Sequence, residues 1–215
     1  MRSGVFLPNW IGDVTMSTPA LRAVRKYVGD SGRIVGVMRP YVQEVLAGNP
    51  WIDHAICYQK KERASVNAAV EQLRDENLDA ILLLTNSLRT AWIARRTGVA
   101  RRIGYAREGR GLLLTTKLYE PVENWRISPL PLIDAYLNLA YALGCDWEAP
   151  HLELATTAED EALADTVWNQ LGLEGHKVAV LNSGGAFGAA KDWPAEHFAT
   201  LANRLATERN LHVLV

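Results

Sequence analysis

Two short stretches carry side chains placed for chemistry. In LPNWIGDVTMSTPALR, Leu7 to Arg22, the carboxylate of Asp13 follows a glycine, behind the apolar run GVFL and ahead of an apolar helical pattern. That position is the carboxyl end of a first parallel strand, where open α/β sheets place their ligands. A carboxylate there can serve as a general base. It can equally cap the helix by accepting backbone N–H bonds, worth ~0.5–2 kcal/mol, and residue types alone leave both roles open. Thr18 and Pro19 suit the cap and first position of the regular helix, which puts Asp13 in an irregular turn beside an exposed Trp10. So close to a helix start, Asp13 is expected to be more acidic than an ordinary aspartate, and therefore a weak base.

The second stretch, GGAFGAAKDW from Gly184, sets permissive glycines and Lys191 just ahead of a proline-initiated helix. Backbone N–H groups and an ammonium can converge there on a phosphate, or the loop can simply face solvent. Gly188 and Lys191 are spaced wrongly for a Walker A loop, and neither strand-to-helix turn carries GxGxxG, which disfavours a dinucleotide-dependent oxidoreductase. A third feature is charge. Between Asn86 and Arg126, nine bases (Arg89, Arg95, Arg96, Arg101, Arg102, Arg107, Arg110, Lys117, Arg126) face three acids (Glu108, Glu120, Glu123), and KKER at Lys60 adds to them. This local basic field suits a phosphorylated acceptor or an anionic membrane surface, with a solvated helix face and structural arginines as the plain alternative.

Other chemistry is sparse. The five histidines lack HxxxH or HExxH spacing, no GxSxG occurs, and Cys57 and Cys145 lie far apart outside any CxxC pattern. No metal site is expected, and the absence of DxD disfavours transferases that hold a nucleotide sugar through a divalent ion. A net charge of -1 gives no bulk attraction for nucleic acid, and 48% hydrophobic residues can fill a core. The N-terminus does not read as a secretory peptide, and AILLL is the longest aliphatic run, far short of the ~20 residues a membrane span needs. A cytoplasmic protein with at most peripheral membrane contact is the expectation.

The elements that position these residues follow from periodicity. GVFL, IVGVM, HAICY, AILLL and RRIGY read as strands, separated mostly by helices. Val66, Ala69, Val70 and Leu73 recur at i, i+3, i+4 and i+7 just before AILLL, one βαβ unit with Asp79 in the turn. Continuously apolar strands suit a parallel sheet covered on both faces, so the fold class is α/β with a Rossmann-like layer. Leu130 to Leu143, apolar nearly all round and stopped by Gly144, predicts a deeply packed helix. Then the composition shifts: Glu153, Glu159, Asp160, Glu161, Asp165 and Glu174 lie in a stretch with no basic partner, and TTAEDEALADTVWNQLGL predicts a capped helix. A boundary near Thr156 divides a complete N-terminal domain, 1–156, from 157–215. The latter holds VAVLNS, the glycine loop, a helix from Pro194 with Phe198, Leu201, Ala202 and Leu205 on one face, and LHVLV, which only begin a second α/β domain.

Taken together, LPNWIGDVTMSTPALRAVR, TNSLRTAWIARRTGVARRIGY and GGAFGAAKDWPAEHFATLANRL resemble the ADP-heptose:lipopolysaccharide heptosyltransferases, the heptosyltransferase II type of glycosyltransferase family 9. The resemblance implies a GT-B fold, with acceptor bound by the N-terminal Rossmann-like domain and nucleotide sugar chiefly by the second. It implies inverting transfer of heptose from ADP-L-glycero-D-manno-heptose to a heptosyl-Kdo2-lipid A type acceptor of the lipopolysaccharide inner core, at the cytoplasmic face of the inner membrane. Asp13 then matches the catalytic base and Lys191 the lysine on the donor phosphate. Ser183, Gly184, Gly185 and Phe187 fall in the donor loop, Asn9, Trp10 and Gly12 line the turn of Asp13, and Lys60, Lys61, Arg63 and Arg89 fall to the acceptor. No cofactor is required, with Mg2+ assistance left open. The family's later Asp-Ser-Gly-x-x-His segment is missing, so residues 1–215 alone are expected to be inactive. Another GT-B enzyme using a different nucleotide sugar, or a non-catalytic sugar- or lipid-binding Rossmann-like module, remain as alternatives.

Overall fold

The protein is described from a computed structural model, covering all residues except 124, 125, 129, 183 and 185–191, with the backbone alone at 123, 126 and 127. Two compact units divide the chain, Met1–Thr156 and Thr157–Val215.

The first unit is built on β1 (Arg2–Phe6), β2 (Arg33–Met38), β3 (His54–Cys57), β4 (Ala80–Leu83), β5 (Arg101–Tyr105) and β6 (Thr116–Leu118), in the order β3-β2-β1-β4-β5-β6. Every pairing in this sheet is parallel. Successive side chains of a strand point to opposite faces, so a sheet covered on both sides needs apolar residues at every position. The sequence supplies them: Val5 and Leu7 join one apolar cluster and Phe6 the other, as do Ala80, Leu82 and Leu84 against Ile81 and Leu83. The first cluster is closed by α1 (Ile11–Met16), α2 (Thr18–Val28), α3 (Pro40–Leu46) and α6 (Leu132–Leu143), the second by α4 (Arg63–Asp75) and α5 (Leu88–Arg96). The four α4 residues predicted to face the core, Val66, Ala69, Val70 and Leu73, are its buried ones. A 3-10 turn at Arg110–Leu113 leads into β6, and β7 (Val122–Glu123) pairs antiparallel with β8 (Arg126–Ile127).

Helix α6 stops where Gly144 takes a left-handed conformation, φ 114°, that costs a side-chain-bearing residue more. The chain then crosses α2 and is bound there. Arg22 Nη2 donates to the Ala149 carbonyl (2.9 Å), Nη1 to Glu153 Oε2 (2.8 Å) and Nε to Glu148 Oε1 (3.2 Å), while the Glu153 N–H donates to Thr18 Oγ1. Glu153, expected to lack a basic partner, therefore has one from far upstream, which the local composition could not reveal. Gly48 lies against this exit segment, since a Cβ there would come 2.0 Å from the Ala155 carbonyl oxygen.

Burial alone would raise the Glu148 carboxyl, but hydrogen bonds from Lys26 and Arg22 outweigh it and hold the group below the usual glutamate range. A depressed folded value contributes stability above the unfolded value, lost as pH falls through the folded one. Glu148→Gln is thus expected to cost ~2 kcal/mol at pH 7, in line with hydrogen bonds to charged groups. Denaturant unfolding at pH 7 and below about pH 4 checks this: the gap to the parent protein narrows in acid.

The second unit starts at Thr157, whose hydroxyl and Asp160 form a reciprocal capping box on α7 (Ala158–Gln170). β9 (Val178–Val180) and β10 (His212–Leu214) pair in parallel, with α8 (Ala195–Arg209) as the segment between them. The α8 helix begins after Pro194, which takes the cap position, and Trp193 meets Phe198 edge-on at 5.0 Å.

Candidate active site

The carboxyl ends of the parallel strands bring five loops to one edge of the first unit. β1 leads through Pro8 and Asn9 to Trp10, the extended residue preceding α1 (φ -96°, ψ 136°). The Val14 N–H donates to the Trp10 carbonyl at 2.9 Å, so Asp13 is the third residue of a short helix and not part of an irregular turn. The reason lies at Ser17, which stays in the right-handed helical region and lets α1 run almost directly into α2. Thr18 is consequently not a cap: its hydroxyl donates to the Thr15 carbonyl and Pro19 sits one position further in.

Asp13 is half-buried, and among the described residues no hydrogen bond or ion pair reaches its carboxylate. Burial pushes the Asp13 carboxyl above the usual aspartate value, contrary to the more acidic group expected from a helix start. Although Asp13 lies in the first turn of α1, loss of hydration outweighs the small dipole of so short a helix. The nearby phenol of Tyr136, buried on α6, is pushed upward by burial and by the Asp13 charge. Gly12 is exposed, with nothing within 4 Å of where its Cβ would lie. Trp10 is 57% exposed on the same turn. The arrangement is a carboxylate made more basic by its setting, on a turn whose preceding residues, Trp10, Ile11 and Gly12, are exposed.

Asn9 links this turn to its neighbours. Its carbonyl accepts from the Tyr41 hydroxyl and its Oδ1 from Arg39 Nε (3.3 Å). Arg39 also donates to the Tyr58 carbonyl (3.1 Å) and lies 5.3 Å over the Tyr58 ring, whose phenol feels both Arg39 and Arg89. Arg89 in turn donates to the Lys60 carbonyl. Lys60, Lys61, Arg63 and Arg89 then line one groove of about 910 Å³ together with Leu88, Trp92 and Arg96. Four acceptor candidates from two distant stretches of chain therefore share a single surface.

Only part of the basic run faces outward. Arg102 gives its guanidinium to the Leu113 and Val99 carbonyls, Arg110 is wholly buried and Arg101 donates to the Ala142 carbonyl, while Arg107 is exposed but has its charge met by Glu120. The field expected over 86–126 shrinks accordingly, because main-chain carbonyls take up Arg101, Arg102 and Arg110 and a carboxylate takes up Arg107. Arg39, Tyr41, Tyr58, Trp92 and Tyr136 escaped the sequence reading. Arg39-Pro40 at the end of IVGVM, a strand end followed by a proline at the helix start, was the available signal.

Of the donor candidates, Gly184 is exposed and its N–H donates to Asn182 Oδ1 at 3.1 Å. Ser183, Gly185, Phe187 and Lys191 lie outside the described residues. Among the described residues, no group of three or more His, Cys, Asp or Glu could hold a metal ion, and no helix is long and apolar enough to cross a membrane.

With this geometry in place, comparison with known proteins decides the family. The family model described as glycosyltransferase family 9 (heptosyltransferase) matches residues 66–215. The chain belongs to glycosyltransferase family 9. Among curated relatives, lipopolysaccharide heptosyltransferase 2 of Escherichia coli K12 is 28% identical, aligned over 97% of this chain and 61% of its own length. Lipooligosaccharide heptosyltransferase 2 of Haemophilus influenzae is 26% identical, over 94% of this chain and 59% of its own. This family 9 chain thus spans about three fifths of the length of such relatives. Among solved structures, a family 9 glycosyl transferase from Veillonella parvula superposes with a TM-score of 0.80 at 24% identity, covering 99% of this chain and 61% of that one. Escherichia coli ADP-heptose lipopolysaccharide heptosyltransferase II gives 0.76 at 24% identity, covering 99% and 63%. The α/β architecture of family 9, of GT-B type, is therefore the architecture of this chain.

Proposed function

We propose that this family 9 chain is the larger part of an inverting glycosyltransferase that moves heptose from ADP-L-glycero-D-manno-heptose to the inner core of lipopolysaccharide, with Asp13 as base. The observation that carries this reading is the half-buried Asp13 carboxylate, raised by burial and reached by no described partner, at the strand-end position where α/β sheets bind ligands. In the transfer, the bond from the anomeric carbon to the diphosphate oxygen breaks as the acceptor oxygen bonds from the opposite face. The acceptor proton passes to Asp13, and the electron pair leaves with ADP. The hydroxyl becomes strongly acidic as its new bond forms, so a carboxylate suffices as base, and its charge also stabilises the oxocarbenium-like centre. Donor contacts fall to Lys191, Ser183, Gly184, Gly185 and Phe187, the lysine offsetting charge on the departing diphosphate. No metal is assigned a role.

Acceptor phosphates fit the groove of Lys60, Lys61, Arg63 and Arg89, where the N-termini of α4 and α5 add their positive ends to four cations. Because such an acceptor is lipid-linked, the reaction runs at the cytoplasmic surface of a membrane. Lys61→Gln combined with Arg63→Gln in the full-length enzyme is expected to raise the acceptor KM about tenfold and leave the donor KM unchanged; an unchanged acceptor KM removes the groove from the acceptor site. Product analysis of the full-length enzyme with ADP-heptose and with UDP-sugars tests the function itself. Transfer from a UDP-sugar alone would replace the donor assignment, and acceptor binding without transfer from any nucleotide sugar would make the protein a binding module.

A further inference from the structure

The cations of the first unit divide by surface. On the α2 and β2 side they are paired with acids: Arg22 and Lys26 with Glu148, Arg25 with Asp53, Arg33 with Glu76. On the face formed by α5, the start of α4 and the 3-10 turn, Lys61, Arg63, Arg95 and Arg96 form no ion pair with any carboxylate among the described residues. Apolar side chains stand among them. Leu88 and Trp92 are about half exposed, and Leu112, at the tip of the 3-10 turn, is 89% exposed beside Leu113, which lines the groove. A second hollow of about 630 Å³, lined by Trp92, Arg95, Arg96, Gly98 and Leu113, continues the groove along α5.

We propose that this face is a docking surface for an anionic lipid bilayer, with Leu112 and the edge of Trp92 entering the headgroup layer while Arg95 and Arg96 meet lipid phosphates. Charge complementarity selects the occupant. Unpaired cations surrounding exposed Leu and Trp match a layer that is negative at its surface and apolar just beneath, each cation adding to the attraction within a Debye length. A single-stranded nucleic acid fits poorly, because it requires open aromatic faces for stacking and the Trp92 face is covered by Arg96 at 4.7 Å. The proposal agrees with a lipid-linked acceptor, and it rests on the transferase reading only in expecting a membrane nearby.

The test is flotation of the full-length protein with vesicles of phosphatidylcholine, alone or with about a third phosphatidylglycerol. Binding is expected to be at least tenfold tighter to the anionic vesicles and to weaken as salt is raised. Leu112→Ser and Arg95→Gln are each expected to weaken it roughly fivefold, and Leu112→Trp to strengthen it. Both positions are exposed, so unchanged melting curves will verify folding, and transfer to a water-soluble acceptor analogue stays at the parent rate. Equal binding to both vesicle types, or full binding by Leu112→Ser, overturns the proposal. Since no sugar substrate is present, that failure leaves the transferase reading standing, whereas a loss of transfer with binding intact counts against that reading alone.

Discussion

Asp13→Asn in the full-length enzyme is expected to lower turnover about a thousandfold while leaving donor affinity within twofold of the parent. The amide keeps the size and position of the side chain but cannot accept the acceptor proton at reaction pH. Stability is expected to move the other way. In the folded chain burial raises the Asp13 carboxyl, so the folded state holds the proton more tightly than the unfolded one. Below the unfolded value both states are protonated and the raised group contributes fully; as pH rises through the folded value that contribution is lost and the ionised group remains as a cost. A neutral Asn at pH 7 lacks that cost, so the variant melts at or above the parent temperature, and the difference disappears in acid. Turnover falling while melting temperature does not is the pattern of a residue kept for chemistry. Near-parent turnover, or a clear loss of stability at neutral pH, would instead assign Asp13 to helix capping.

The largest effect on the fold itself is expected from Arg110. Its side chain is fully buried, and it joins the ends of two strands: Nε donates to the Tyr105 carbonyl (2.7 Å), Nη1 to the Thr85 carbonyl (2.5 Å) and Nη2 to Asn86 Oδ1 (3.0 Å). Burial brings its pKa down to about 10, opposed by the charge of Glu108 and assisted by Arg107, so the group remains charged at neutral pH. Gly104 leaves room for it, since a Cβ there would stand 3.2 Å from Arg110 Nη2. Arg110→Ala removes three charge-assisted bonds and opens a cavity, an expected loss of ~3–4 kcal/mol, or ~10 °C in melting temperature for a unit of this size. Arg110→Lys recovers little, because one ammonium cannot span three acceptors held in a fork. Thermal and denaturant unfolding measure both variants. The Thr85–Asn86 loop leads directly into α5, so the groove lined by Leu88, Arg89 and Trp92 is expected to lose its shape along with the stability.

Much of this was legible in the sequence where one local rule decided the outcome. GVFL, IVGVM and AILLL became strands because a strand buried on both faces favours a continuous apolar run, and α6 ended at Gly144 because glycine adopts a left-handed conformation cheaply. β6 was missed: Thr116–Leu118 is a three-residue edge strand with one face half-exposed, which leaves no apolar run to read. α3 was missed because its seven residues hold only two buried positions, Val42 and Leu46. Capping at Thr18 was misread because Ser17 continues the helical backbone, a conformation that residue type does not dictate. The position of Asp13 at a strand end was legible, but its raised carboxyl was not, since α1 is covered by elements distant in sequence, α6 among them more than a hundred residues later. Likewise, which arginines of the basic run face water depends on the main-chain carbonyls they meet and cannot be read from their spacing.

The strand order also governs when the candidate base can be put in place. β1 is central, pairing through Gly4 with both Val35 and Ile81, and the Leu84 N–H closes onto the Phe6 carbonyl at 3.1 Å. The helix α1 that carries Asp13 also packs against α6, whose Tyr136 feels the charge of Asp13. The turn that carries it is made more than a hundred residues ahead of α6 and lacks that cover until residues beyond 140 have followed, an interval of several seconds at ordinary synthesis rates. During that interval β1, β2 and β4 can pair while the face that α6 will cover stays open, so the apolar surface beside the candidate base is one to which a nascent-chain chaperone has time to bind.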